Sequence, residues 1–234
     1  MDRNVLLVGR VLPLKGNQPD EIRRAEYIAR IFCDDYETVD LTAPYTAAAL
    51  CAGIVPGGKD FKTKVRLGNI KARTRMVHLY DLAQKFNGMV LSTDNYTEYL
   101  LGFWTLHGDV GDFGFIQMLW KTEVYALAEY LANNIFCRTA GAKALVDCIN
   151  AVPTDGLGVS NSDIEQIMPN WSSSDGDWRA AYRAIDNLLL QWETNGTVSA
   201  DSAVLKRHLA TEFKRKNPVN IPRDILTWVY NEEA

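Results

Sequence analysis

Short apolar runs alternate along this chain with amphipathic stretches of helical length, and that alternation limits it to one broad class of fold. Val5–Val8 and Glu37–Leu41 read as strands, and Met89-Val90-Leu91 reads as a third. Between them the spacing predicts a helix from Asp20 to Phe32, with acids in its first turn, and another over Ala43–Ala52 with Pro44 at its start. Pro56-Gly57-Gly58 interrupts the pattern. Asn69–Phe86 is the clearest helix: Ile70, Val77, Tyr80 and Ala83 fall on one face, Met76 and Leu79 lie beside them, and Asn87-Gly88 closes it. Further helices read over Thr122–Leu131 and Asp175–Glu193. Strands that alternate with helices pair in parallel, because each crossover returns the chain to the same end of the sheet. The expected fold is therefore α/β, an open parallel sheet with helices on both faces.

The 234 residues suit a single α/β domain, and at 47% hydrophobic and 23% charged they can bury a full core. No apolar run reaches the length of a membrane span, and the four residues Val5–Val8 are too few for a secretion signal, so the expected location is cytoplasmic. Cys33, Cys51, Cys137 and Cys148 form no Cys-x-x-Cys pair and no zinc spacing, which reads as reduced thiols. A net charge of −4 argues against a nucleic-acid partner. The basic residues are nevertheless clustered. Lys59, Lys62, Lys64, Arg66, Lys71, Arg73 and Arg75 lie in one stretch with Asp60 as the sole acid, and Lys206, Arg207, Lys214, Arg215, Lys216 and Arg223 form a second group. Such islands are solvated surface, or they receive a compact polyanion.

Chemistry concentrates where the third apolar run ends. Leu91-Ser92-Thr93-Asp94-Asn95-Tyr96-Thr97-Glu98 takes a buried strand into hydroxyls and acids just ahead of a helix. Ligands of open α/β sheets bind at the carboxyl ends of strands, and free N–H groups at a helix start attract phosphate. A plain capped helix, with Thr93 or Asp94 as the cap, accounts equally well for this segment by itself.

The segment stands within a longer series. Gly68-Asn69-Ile70-Lys71-Ala72-Arg73-Thr74-Arg75 precedes it. Leu101-Gly102-Phe103, Gly108-Asp109-Val110-Gly111-Asp112 and Trp120-Lys121-Thr122-Glu123 follow, then Pro153-Thr154-Asp155-Gly156-Leu157, Tyr182-Arg183-Ala184-Ile185-Asp186 and Thr211-Glu212-Phe213-Lys214-Arg215. In this order the motifs resemble ammonia-type NAD synthetase, of the ATP-pyrophosphatase superfamily with its Rossmann-like, adenine nucleotide alpha-hydrolase fold. The resemblance implies ATP-dependent amidation of deamido-NAD by ammonia through an acyl-adenylate. It implies that Thr93, Lys121 and Thr154 face ATP, that Glu98 holds Mg²⁺, and that Arg73, Asp112 and Lys214 bind deamido-NAD. The four cysteines show no nucleophile setting, and no catalytic side chain is assigned. The resemblance also implies a homodimer, with Arg73 at the interface, and a single domain over 1–234 whose basic tail, 200–234, packs on the site.

Three departures accompany it. The family's Ser-Gly-Gly-x-Asp-Ser pyrophosphate loop does not occur in these residues, and the match begins at the family's second strand, one strand–helix unit of about 30 residues further on. Leu106 stands where the family often has Lys, with His107 adjacent, and Phe213 stands where it has His. The reading left open is a non-catalytic nucleotide-binding relative, or a subunit whose partner polypeptide supplies the loop.

Overall fold

The computed structural model describes residues 5–154, 158, 160, 162–168, 171, 177–199, 201–223 and 225. Two parallel strands, β1 (Val8–Val11) and β2 (Asp35–Thr38), pair in register from Val8 opposite Asp35 to Val11 opposite Thr38. The crossover between them is α1 (Pro19–Phe32), which opens with Pro19 and a capping box between Gln18 and Glu21. Helix α1 lies close on β1, and Gly9 is what allows this: a Cβ there would come within 2.5 Å of the Cys33 sulfur. Both strands sit a few residues from the apolar runs read in the sequence. Val5, Leu6 and Leu7 are exposed, and pairing starts at Val8.

Helices α2 (Thr42–Cys51) and α3 (Phe61–Phe86) follow. Leu12, Leu14 and Leu41, from the segments that leave the strands, pack with Tyr45, Ala49, Ile54 and Leu67 into one core. Helix α3 begins eight residues earlier than the expected Asn69. The Asp60 carboxylate accepts from the Thr63 N–H and caps it, and Gly68 lies inside the helix. A mid-helix glycine costs about 1 kcal/mol relative to alanine, and the burial of Leu67 and Ala72 around it outweighs that. The buried stripe is Leu67, Lys71, Ala72 and Met76, with Ile70 and Leu79 half-buried against the same core as expected; of the expected inner face, Val77, 74% exposed, and Tyr80 lie outside it.

Met89–Leu91 forms no full strand. Leu91 makes a single parallel bridge to Phe113, with Ser92 N–H donating to the Phe113 carbonyl at 2.8 Å and Asp112 N–H to that of Val90 at 2.7 Å. Gly111 permits this crossing, since a Cβ there would lie 2.5 Å from the Ser92 nitrogen. Beyond it come α4 (Tyr96–Leu101), α5 (Lys121–Tyr130), α6 (Ala140–Ile149), α7 (Asp163–Ile167), α8 (Trp178–Asn195), α9 (Ala203–Ala210) and α10 (Glu212–Arg215). Helix α5 runs on through a wider turn, Leu131–Ile135, in which the Phe136 N–H reaches the Leu131 carbonyl. On α8, Trp178, Ala181, Tyr182, Ile185 and Leu189 recur at helical spacing and bury against Leu100 and Leu101 of α4, Ile164 and Ile167 of α7 and Val204 of α9. Each large side chain so buried contributes about 1.5–3 kcal/mol. This second core lies under α4 and fixes the elements that carry the candidate site.

Candidate nucleotide-binding site

Asn95 begins α4 with reciprocal hydrogen bonds. Its side chain accepts from the Glu98 N–H at 3.1 Å, and its own N–H donates to Glu98 Oε2 at 3.0 Å. The other carboxylate oxygen of Glu98 meets Lys121 Nζ at 2.6 Å, with both side chains about one-sixth exposed, at 17% and 16%. Lys121 opens α5, so the pair joins the first turns of two helices. Burial lowers the pKa of the Lys121 ammonium, but Glu98, with Tyr125 and Asp163, outweighs this and holds it above the ordinary lysine value. The ammonium also lies 5.9 Å from the Tyr125 ring centroid and 5.5 Å from that of Tyr182.

Around this pair the charge is mostly negative. Burial, then Asp109, then Glu98 push the Asp94 carboxyl up to about 7, against the pull of Lys121 and Lys214. Asp109 is also raised, chiefly by burial, while its carboxylate accepts from the Thr105 N–H at 2.5 Å. Lys214 Nζ donates to the Gly102 carbonyl at 2.6 Å and to that of Trp104, which ties α10 to the loop after α4. Burial, then Arg207, lower its pKa. The Ser92 hydroxyl and the Trp104 indole N–H are buried with no hydrogen-bond partner among the described residues, and each unmet group costs about 1–3 kcal/mol.

Of the residues singled out in the sequence, Glu98 and Lys121 meet directly, and Lys214 is coupled to them through Asp94. Thr93 is exposed beside them. Arg73 donates from Nε and Nη2 to the Leu106 carbonyl at 3.2 and 3.1 Å. Asp112 accepts from Val90 N–H at 2.9 Å and from the Tyr80 hydroxyl at 3.1 Å. Thr154 donates to Glu21 at 3.0 Å, at the start of α1; Asp155, Gly156 and Leu157 lie outside the described residues. The Gly-Asn-x-x-Ala-Arg-x-Arg stretch acts here as a brace. Asn69 accepts from the Thr105 hydroxyl at 3.0 Å, and Arg75 reaches the Leu12 carbonyl at 3.2 Å and Asn17 at 3.1 Å. A Gly-Gly-x-Asp tetrapeptide does occur, Gly57-Gly58-Lys59-Asp60, but its carboxylate is the cap of α3.

Asp94, Thr97, Asp109 and Asp186 stand within the motifs read in the sequence but were given no site role there, because a single acid or threonine carries no spacing signal of its own. An open cavity of about 810 Å³ lies elsewhere, between α1, β2 and α6, and none of the residues above lines it. Concavity alone therefore does not locate this site; the paired charges do. Among the described residues no group of three His, Cys, Asp or Glu side chains is placed to hold a metal ion. That donor set still fits Mg²⁺, which takes one or two carboxylates and completes its shell with water and substrate phosphate. Glu98, with lone pairs beyond its two hydrogen bonds, is such a carboxylate.

Comparison with known proteins agrees with the motif order. Residues 3–218 match the NAD synthase family. The NH(3)-dependent NAD(+) synthetase of Methanocaldococcus jannaschii is 32% identical over 162 residues, 69% of this chain and 57% of that protein. That of Methanosarcina acetivorans is 30% identical over 196 residues, 81% of this chain and 70% of that one. The chain thus spans between about half and seven-tenths of the length of these relatives. Among solved structures, the NMN synthetase of Francisella tularensis superposes with a TM-score of 0.69 at 25% identity, covering 92% of this chain and 78% of that one. The NH3-dependent NAD synthetase of Campylobacter jejuni, in complex with nitrate, gives 0.57 at 22% identity, covering 92% and 77%. By the extent of the family match and by the relative from Methanosarcina, this chain is a member of the NAD synthase family.

Proposed function

We propose that this chain serves the ATP-dependent amidation of deamido-NAD to NAD with ammonia, as one NAD synthetase-like domain that pairs into a homodimer. The observation that carries the proposal is the Glu98–Lys121 pair at 2.6 Å, set beside Asp94 where the Val90–Leu91 segment opens into α4. A fixed cation next to a carboxylate with spare lone pairs suits the phosphates of ATP and their Mg²⁺. Lys121, Thr93 and Thr154 take the ATP side, and Arg73, Asp112 and Lys214 the deamido-NAD side. Glu98 would hold the Mg²⁺, which offsets negative charge on the phosphates when bound.

The nicotinate carboxylate oxygen attacks the α-phosphorus of ATP, and the bond to pyrophosphate breaks. Ammonia then adds to the acyl carbon, AMP leaves, and a proton is released to solution. No side chain need form a covalent bond. Lys121, protonated at neutral pH, faces the charge that grows on the leaving pyrophosphate, and Glu98 keeps it oriented. Because the residues contain no Ser-Gly-Gly-x-Asp-Ser loop, turnover is expected only when that loop is supplied. The test is AMP and NAD formation from deamido-NAD, ATP, Mg²⁺ and ammonium, by the chain alone and with a loop-bearing strand–helix unit joined ahead of it. Turnover by the completed chain supports the reading; ATP binding with no amide product by either form makes this a non-catalytic nucleotide-binding member.

A second reading has its own support. The solved structure with the TM-score of 0.69 is an NMN synthetase, and Arg73 and Lys214, both assigned to the dinucleotide, spend their donors on main-chain carbonyls. Nicotinate mononucleotide, which lacks the adenylate half, is the alternative substrate. Offering both nicotinates in the same assay separates the readings by which one is amidated faster.

A further inference from the structure

Asp186, on α8, is a buried carboxylate that the proposed chemistry does not use; it is 6% exposed. Three donors converge on its carboxylate. Thr97 Oγ1–H reaches Oδ1 at 2.6 Å, and the Thr122 N–H and hydroxyl both reach Oδ2, at 3.0 and 2.8 Å. Thr97 is fully buried and accepts the Lys121 N–H at 2.9 Å on the same oxygen that donates to Asp186. A hydroxyl has one hydrogen and two lone pairs. Once its hydrogen is committed to Asp186, a lone pair is left to receive Lys121. The order Asp186, Thr97, Lys121 is thus fixed in direction by the carboxylate at its head.

We infer that Asp186 is a positioning residue for the phosphate-facing cation: through Thr97 and Thr122 it docks the first turn of α5 against α4, and so holds Lys121 Nζ at Glu98. This rests on the reading that Lys121 faces the phosphates of ATP. Helix α8 supplies a second support, since Tyr182, one turn before Asp186, places its ring beside the Lys121 ammonium. Burial pushes the Asp186 carboxyl up, and the bonds from Thr97 and Thr122 draw it back. An amide changes this order. The carbonyl oxygen of asparagine can still accept both Thr122 donors, but its NH₂ donates to Thr97 Oγ1, so the Thr97 bond reverses, the Thr97 hydrogen loses its acceptor and the charge at the head of the series is gone.

The test uses Asp186→Asn and, as a milder change that removes one hydroxyl, Thr122→Val. Circular dichroism first fixes a temperature at which each variant is folded. ATP and AMP affinities are then measured by calorimetry, and amide hydrogen exchange is followed at Lys121, Thr122 and Tyr125. The expected result is ATP binding weakened about tenfold, the scale of one misplaced charge-assisted hydrogen bond. AMP binding should be unchanged, and exchange should quicken at Lys121 and Thr122 but not at Tyr125. A general loosening of the fold would weaken both nucleotides alike, and that outcome overturns the inference. So does unaltered exchange at Lys121 in Asp186→Asn. If the unmodified chain binds no ATP, the proposed function fails, and the exchange measurement still decides whether Asp186 sets the start of α5.

Discussion

Replacing Asp94 by asparagine should stabilise the protein in proportion to pH. Burial and the neighbouring Asp109 and Glu98 raise this carboxyl from 3.8 to about 7. At about 1.36 kcal/mol for each pH unit, that is a penalty of about 4 kcal/mol for the ionised form, reduced to about 2–4 kcal/mol by solvent at its partly open edge. The sign follows from linkage. A carboxyl raised on folding holds its proton in the native state after the unfolded chain has released its own. Its favourable contribution is complete below the unfolded value and is lost as pH rises through about 7. Asparagine does not titrate. The stability difference, variant minus wild type, should therefore grow by about 2 kcal/mol between about pH 5 and pH 8 and level off above. Urea unfolding of both proteins at several pH values measures it. A difference that stays constant with pH would refute the reasoning, because it would mean that Asp94 is ionised normally. The gain is expected to come with weaker ATP binding, because the like charges of Asp94, Asp109 and Glu98 are those that a bound cation would relieve.

Glu98→Gln in the loop-completed chain should lower turnover by orders of magnitude, and because it strands the Lys121 ammonium it should also cost about 1–3 kcal/mol of stability, read from thermal or urea unfolding. Lys214→Ala should weaken deamido-NAD binding about tenfold to a hundredfold with little change for ATP, whereas Lys216→Ala, which breaks only the exposed 2.8 Å pair with Glu212, should change neither; equal calorimetric isotherms for the two would mark the tail as plain charged surface. Sedimentation at micromolar concentration should show a dimer, and Val77→Asp, on the outward face of α3, should dissociate it; a monomer before substitution contradicts the assembly.

Local signals in the sequence were strong where the cause is local. Pro19 and the Glu21 box start α1, and Asn87 in a left-handed conformation ends α3. The cap of α4 is Asn95, boxed with Glu98, just beyond the Thr93 or Asp94 that the sequence suggested. These depend on residues within four positions of one another, so a reader of the chain can place them. The limits of the buried face of α3 could not be placed in that way. Val77 and Tyr80 fit an apolar stripe, but the helix turns them outward because Arg75 must reach the Leu12 carbonyl and Lys71 and Met76 must go inward. An orientation set by partners some sixty residues distant leaves no mark in the local period.

The candidate site divides along the same line. Glu98 and Lys121 are legible because each stands at a helix start within a motif, yet their meeting at 2.6 Å is a tertiary event. It depends on Asp186, 64 positions from Thr122 and 89 from Thr97, which receives donors from both helix starts at once. An isolated Asp inside Tyr182-Arg183-Ala184-Ile185-Asp186 looks like a solvated helix residue, since at helical spacing only its apolar neighbours announce burial. What makes it buried is that Ile185 and Leu189, on the same face, draw that face into the second core and take Asp186 with them. The carboxylate then needs donors, and the free N–H groups of α5's first turn are the nearest unpaired supply. Packing of α8 thus dictates where α5 begins, and the beginning of α5 dictates where Lys121 points. The polar geometry of the site follows from a hydrophobic decision made 89 positions along the chain from Thr97 of α4.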